Sequence, residues 1–154
     1  MQNSKISNLL ENKIYNNSEI LVGKPYVTTT NDVKVTVWPE FIDSKFSAIG
    51  DIFVWVYHVR IDNKTTGQIK LVNRYWRIID EKGNLQEVQG EGVVGETPVI
   101  AANSFYQYSS GIHLRYPSGI MTGTYQMKSE DGNLFIVDIP TFSLDVPSAQ
   151  LVIN

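Results

Sequence analysis

Gln89-Gly90-Glu91-Gly92-Val93-Val94-Gly95-Glu96-Thr97-Pro98 is the stretch whose reading decides the fold of this chain. Gly90, Gly92 and Gly95 satisfy G-x-G-x-x-G. In dinucleotide-binding α/β proteins that spacing follows a strand and opens a helix whose N-terminus holds the pyrophosphate. The residues that follow do not support such a helix. Glu96-Thr97-Pro98-Val99-Ile100-Ala101-Ala102-Asn103 has no helical period, and Pro98 arrives too early for an uninterrupted helix begun at the loop. Glu91 and Glu96 put carboxylates in or beside the loop, where they repel phosphate. The glycines then serve an irregular connection between strands, where positive φ and close backbone approach are needed. An anion nest of successive backbone N–H groups is the alternative that needs no helix. On that alternative Gly90, Gly92 and Gly95 are the candidate ligand-binding residues.

On either side of the loop the pattern is β. Val33, Val35 and Val37 alternate with Lys34 and Thr36, as in a half-buried strand. Phe53, Trp55, Tyr57, Val59 and Ile61 form a longer alternation whose bulky parity faces the core and sets His58 on the opposite face. Ile69, Leu71 and Tyr75 to Ile79 give a third strand, followed by turn residues Glu81-Lys82-Gly83-Asn84. Further strands are expected at Ser104 to Tyr108, Thr122 to Met127, Leu134 to Ile139 and Phe142 to Val146. Tyr108-Ser109-Ser110-Gly111 and Pro117-Ser118-Gly119 read as turns, and Asp131-Gly132 as a hairpin signal. No amphipathic helix of about ten residues follows residue 25. Short strands with turn signals between them argue for an all-β, two-sheet antiparallel β-sandwich.

Residues 1–25 differ in character. Asn recurs there without strand patterning, and Ile6, Leu9, Leu10 and Lys13 share one face at helical spacing. The segment reads as an N-terminal extension, mobile or a short helix, ahead of one domain over residues 26–154.

The 154-residue chain is long enough for a real core, and 42% hydrophobic with 19% charged residues is ordinary for a globular protein. A formal net charge of -3 gives no broad basic field, which argues against nucleic-acid capture. No stretch is long and apolar enough for membrane insertion, and the N-terminus shows no signal-peptide pattern. With no cysteine, disulfides, thiolate metal sites and cysteine nucleophiles are excluded. A cytoplasmic location fits these features.

The order of motifs closely resembles the ApaG (CorD) family. The resemblance runs from about Tyr26 to Pro147. It includes Phe53-Val54-Trp55-Val56-Tyr57-His58-Val59-Arg60-Ile61-Asp62-Asn63, Arg74-Tyr75-Trp76, the glycine block, Pro117 to Met127, and Ile139-Pro140-Thr141-Phe142-Ser143-Leu144-Asp145-Val146-Pro147. It implies an immunoglobulin-like or fibronectin type III-like sandwich. It also implies a link with cobalt resistance and magnesium efflux. Related domains in F-box proteins and in a polymerase-delta-interacting protein imply that the partner is another protein. The N-terminal extension departs from the compact bacterial pattern.

For metals, His58 and His113 are the only histidines and neither has a partner at ligand spacing. Glu87, Glu91 and Glu96 offer oxygen ligands but read as solvated charges. Ser109 and Ser110 lie near His113 without an activating constellation, and Asp131 and Asp145 are isolated carboxylates. The expectation is a non-enzyme with no catalytic residue, no metal site and no cofactor. The alternative is a small-ligand binder for a nucleotide or pyrophosphate with a divalent cation, through the glycine loop. Trp55 and Trp76 are expected in the core and Trp38 partly exposed. Tyr106, Tyr108, Tyr116 and Tyr125 are candidates, with Arg115, for a surface patch of the kind found in protein interfaces; for any single Tyr, ordinary cross-strand packing on a sheet face is the favoured reading.

Overall fold

The computed structural model describes residues 24–147, so the helix considered for residues 6–13 lies outside the described residues. Nine strands follow in order: β1 (Tyr26–Thr30), β2 (Val33–Lys45), β3 (Ile52–Asn63), β4 (Ile69–Asp80), β5 (Leu85–Glu91), β6 (Val99–Ile100), β7 (Ser104–Leu114), β8 (Gly119–Ser129) and β9 (Leu134–Ser143). No helix occurs among the described residues. One sheet has the order β1-β2-β3-β7. The other has β5-β4-β8-β9, with β6 on the same edge of β4 as β5. Every pairing is antiparallel. This is the two-sheet antiparallel sandwich expected from the patterning, consistent with the immunoglobulin-like kind that the resemblance implies.

The alternation along β3 does what period-2 geometry requires. Phe53, Trp55, Tyr57, Val59 and Ile61 are all buried and meet Leu71, Trp76, Ile78, Tyr125, Met127 and Phe142 of the facing sheet. Trp76 is the hub. Its ring lies 5.2 Å from Tyr57, 6.1 Å from Phe142 and 6.4 Å from Tyr125, the last two edge-to-face, an arrangement aromatic quadrupoles favour. Gly123 makes room for it, since a Cβ there would stand 3.0 Å from the indole Cε3 and 2.3 Å from the Tyr75 carbonyl.

The β1 and β9 edges close one side of the sandwich. Tyr26 packs on Phe142 with ring centroids 6.0 Å apart, and the Asp138 N–H donates to Thr30 Oγ1 at 3.1 Å. On the opposite side the β5 and β7 edges leave a mouth between the sheets.

Three readings of local structure change. Tyr108-Ser109-Ser110-Gly111 is not a turn but the middle of β7, paired with Val59 to Val56. The stretches Leu134 to Ile139 and Phe142 to Val146 are not two strands. The first lies wholly in β9 and of the second only Phe142 and Ser143 do; β9 carries Pro140 through a register shift opposite Met121 to Gly123, and it is an edge strand, where a missing N–H is tolerated. Tyr108 and Tyr125 belong to the core, not to a surface patch.

Candidate functional site: the glycine turn and the sandwich mouth

The glycine block is a strand, a tight turn and a return strand, all laid along one edge of β4. Gly90 and Glu91 end β5 opposite Arg74 and Asn73. The Gly92 N–H donates to the Val72 carbonyl at 2.8 Å, and Leu71 N–H takes the Pro98 carbonyl at 3.0 Å as β6 approaches. Between them Val93 and Glu96 exchange N–H···O bonds of 2.8 and 2.9 Å. The two residues that turn the chain, Val94 (φ 43°) and Gly95 (φ 81°), both have positive φ. This is the handedness of a type I′ hairpin. Gly92 has φ 62°, and a Cβ there would fall 1.9 Å from the Glu96 carbonyl oxygen. The N–H groups of Gly92, Val93 and Glu96 are thus spent on backbone carbonyls. A phosphate cradle needs such groups pointing outward.

Two side chains hold this turn from outside. The Tyr106 hydroxyl on β7 donates to Glu96 Oε2 at 2.8 Å. Partial burial, and then the Glu96 carboxylate, push the Tyr106 phenol up to about 12. Arg74 shares its strand face with Trp76 and Ile78, so its side chain starts into the sandwich. Its Nη1 donates to the carbonyls of Glu91 at 3.1 Å and Gly92 at 3.0 Å. Gly90 lies under the guanidinium, which a Cβ would meet at 2.8 Å.

Arg74 also borders a cavity of about 200 Å³ at the mouth, with Tyr57, Trp76, Gln86, Ser110 and His113. Its charge reaches three buried phenols. Burial raises the Tyr57 pKa, opposed by the Ser110 hydroxyl and the Arg74 guanidinium. Burial likewise raises Tyr108 and Tyr125, whose hydroxyls hydrogen-bond each other, and Arg74 opposes both shifts.

His58 lies on the outer face of its sheet, as its parity predicts. Its Nδ1 is 2.7 Å from Ser109 Oγ on β7 and its Nε2 is 2.8 Å from Glu40 Oε2 on β2. The result is a cross-strand row spanning three strands. His113 sits elsewhere, at the mouth. No group of three or more His, Cys, Asp or Glu residues able to hold a metal occurs among the described residues. No helix among them is long and apolar enough to cross a membrane. The outer face of the β4 sheet carries a feature the sequence analysis missed. Leu85, Ile79 and Ile120 stand side by side across β5, β4 and β8, with 48%, 39% and 51% of their surface exposed.

A two-sheet antiparallel sandwich with a glycine I′ turn clamped by an arginine defines the class. A profile of the ApaG domain matches residues 44–129. Protein ApaG of Paramagnetospirillum magneticum is 48% identical over 129 residues, covering 84% of this chain and 99% of that protein. Protein ApaG of Brucella suis is 45% identical over the same span and coverage. Among solved structures, one structural-genomics X-ray structure shares 41% identity with a TM-score of 0.75, over 80% of this chain and 94% of its own. A Bordetella pertussis protein carrying the name ApaA shares 36% at a TM-score of 0.71, over 81% and 98%. The chain belongs to the ApaG family.

Proposed function

We propose that this ApaG-domain protein is a non-enzymatic, cytoplasmic interaction module that acts by binding another protein through the outer face of the β4 sheet. Through the family's link with cobalt resistance and magnesium efflux, that partner belongs to the control of divalent-cation transport. The row Leu85–Ile79–Ile120 carries the reading. Single exposed apolar side chains are ordinary, but a contiguous set in register across three strands marks an interaction surface. Tyr75, further along the same face of β4, adds a residue type enriched at interfaces. The His58 row supports the non-enzymatic part. A serine nucleophile works from the Nε2 side of its histidine with the acid on Nδ1. Here the order is reversed, and the row clasps three strands.

The test is affinity capture from native lysate with the wild-type chain and with Ile79→Glu, each also lacking residues 1–23. A specific partner retained by the wild type and lost by Ile79→Glu supports the reading. The same proteins retained by both chains overturn it.

A further inference from the structure

The mouth of the sandwich holds a half-buried cation that lacks a counter-ion among the described residues. Arg74 makes no ion pair there, and its two hydrogen bonds use Nη1 alone, which leaves Nε and Nη2 free to donate. No carboxylate lines the cavity it borders. Trp76 lines the same cavity and buries its Nε1–H with no hydrogen-bond partner. Its Cε3 edge lies against Gly123 on β8. Tyr57 and Ser110 bring two hydroxyls and Gln86 an amide. A buried donor without an acceptor is costly, and a charge without a partner more so. A site of donors around one guanidinium, in a space of about 200 Å³, is complementary to an acceptor-rich anion. Arginine's planar fork matches phosphate geometry.

We infer that this cavity binds a small oxyanion of the phosphate class, with Arg74 as its charged fork, the Tyr57 and Ser110 hydroxyls and the Gln86 amide as neutral partners, and the Trp76 indole as part of its wall. The glycine turn's part is indirect. Its carbonyls and the missing Cβ of Gly90 hold the guanidinium at the mouth, so the turn positions the binding residue and does not touch the ligand. The site is separate from the outer face of the β4 sheet, and neither assignment depends on the other.

The experiment is an NMR titration of the full chain at constant ionic strength, reading the Arg74 Nε–H, the Trp76 indole N–H and the Ser110 and Gly111 amides. Inorganic phosphate at millimolar concentration is expected to move all of them saturably, whereas acetate is not. If ATP or pyrophosphate moves the same signals at lower concentration, the site takes the terminal phosphoryl group of a larger ligand. If inorganic phosphate alone does so, the free ion is the ligand. Arg74→Gln should weaken binding about tenfold or more, the loss of a charge-assisted hydrogen bond. That variant also frees two loop carbonyls. Ser110→Ala removes a neutral donor without touching the turn, and should weaken binding roughly two- to tenfold. No saturable shift at the mouth, shifts that persist unchanged in Arg74→Gln, or equal shifts with acetate would overturn the inference.

Discussion

Replacing each of the three motif glycines by alanine separates a backbone role from a ligand-contact role, because the structure assigns them unequal penalties. Gly92→Ala places a methyl 1.9 Å from the Glu96 carbonyl oxygen and 2.8 Å from its carbon, and both atoms are backbone. The turn must open to admit it. Alanine at the Gly92 φ of 62° costs about 1 kcal/mol or more. Opening the turn forfeits the two Val93–Glu96 hydrogen bonds, each worth about 1 kcal/mol net. The sum is about 3–4 kcal/mol. Gly95→Ala has a similar φ penalty, at 81°, but its methyl meets open space, so it costs about 1–2 kcal/mol. At Gly90 the methyl meets the tip of Arg74, which is the movable end of a side chain. The loss is the two guanidinium–carbonyl contacts, about 1–2 kcal/mol. Urea unfolding followed by tryptophan fluorescence ranks the three directly. Gly92→Ala should stand apart by about 2 kcal/mol from the sum above. If it matched Gly95→Ala, the reasoning that the motif is a sterically locked turn would be refuted.

Val94→Asn should stabilise the protein by about 1 kcal/mol in the same assay, since a β-branched residue at φ 43° is strained and asparagine tolerates that region; an unchanged midpoint would deny the strain. Asn63, fully buried, donates to the carbonyls of Gly67 and Ile100 and accepts from the Thr65 N–H and hydroxyl. Asn63→Ala should therefore cost about 2–4 kcal/mol, measured by thermal unfolding, because buried groups lose their partners. Tyr106 should ionise near pH 12, by ultraviolet absorbance, against 10.0 for a free phenol. Because the folded value is the raised one, its contribution to stability is complete below pH 10 and is lost as pH rises toward 12. Glu96→Gln should lower that titration, and no change would show that the carboxylate does not act on the phenol.

Much of the sandwich was legible because its central strands obey one rule at a time. β3 buries one parity and β4 buries one on each side of its bulge between Leu71 and Asn73, so Phe53 to Ile61 and Trp76 to Ile78 announce themselves. Edge strands do not. β5 reads Leu-Gln-Glu-Val-Gln-Gly-Glu, whose inward parity offers one apolar side chain, Val88, to the core, and its pairing comes from β4, not from its own pattern. Ser109, Ser110 and Gly111 have turn chemistry, yet the length of β3 extends the ladder through them, a tertiary override of local preference. Tyr125 shares its parity with Gly123 and Met127 and is buried with them, although its residue type had made it a surface candidate. The arginine clamp was half legible. Arg74 shares a parity with Trp76, which places a charge on a core face. That it would reach back to the Glu91 and Gly92 carbonyls depends on β5 and β4 being neighbours, a long-range fact no local window contains. The Leu85–Ile79–Ile120 row is equally non-local, one residue from each of three strands.

The glycine turn also bears on strand pairing at the margin of the sheet. An open strand border is a template for unwanted pairing, and proteins guard such borders with bulges, turns and charges. Here β5 and β6 form the outer margin of the sheet beside β4 and the Val93–Glu96 turn sits between them, so an incoming chain finds that margin broken midway. Glu87 and Glu91 add like charges along the rim. Three glycines at this spacing thus interrupt strand pairing at the margin of the sheet, a role that needs no ligand.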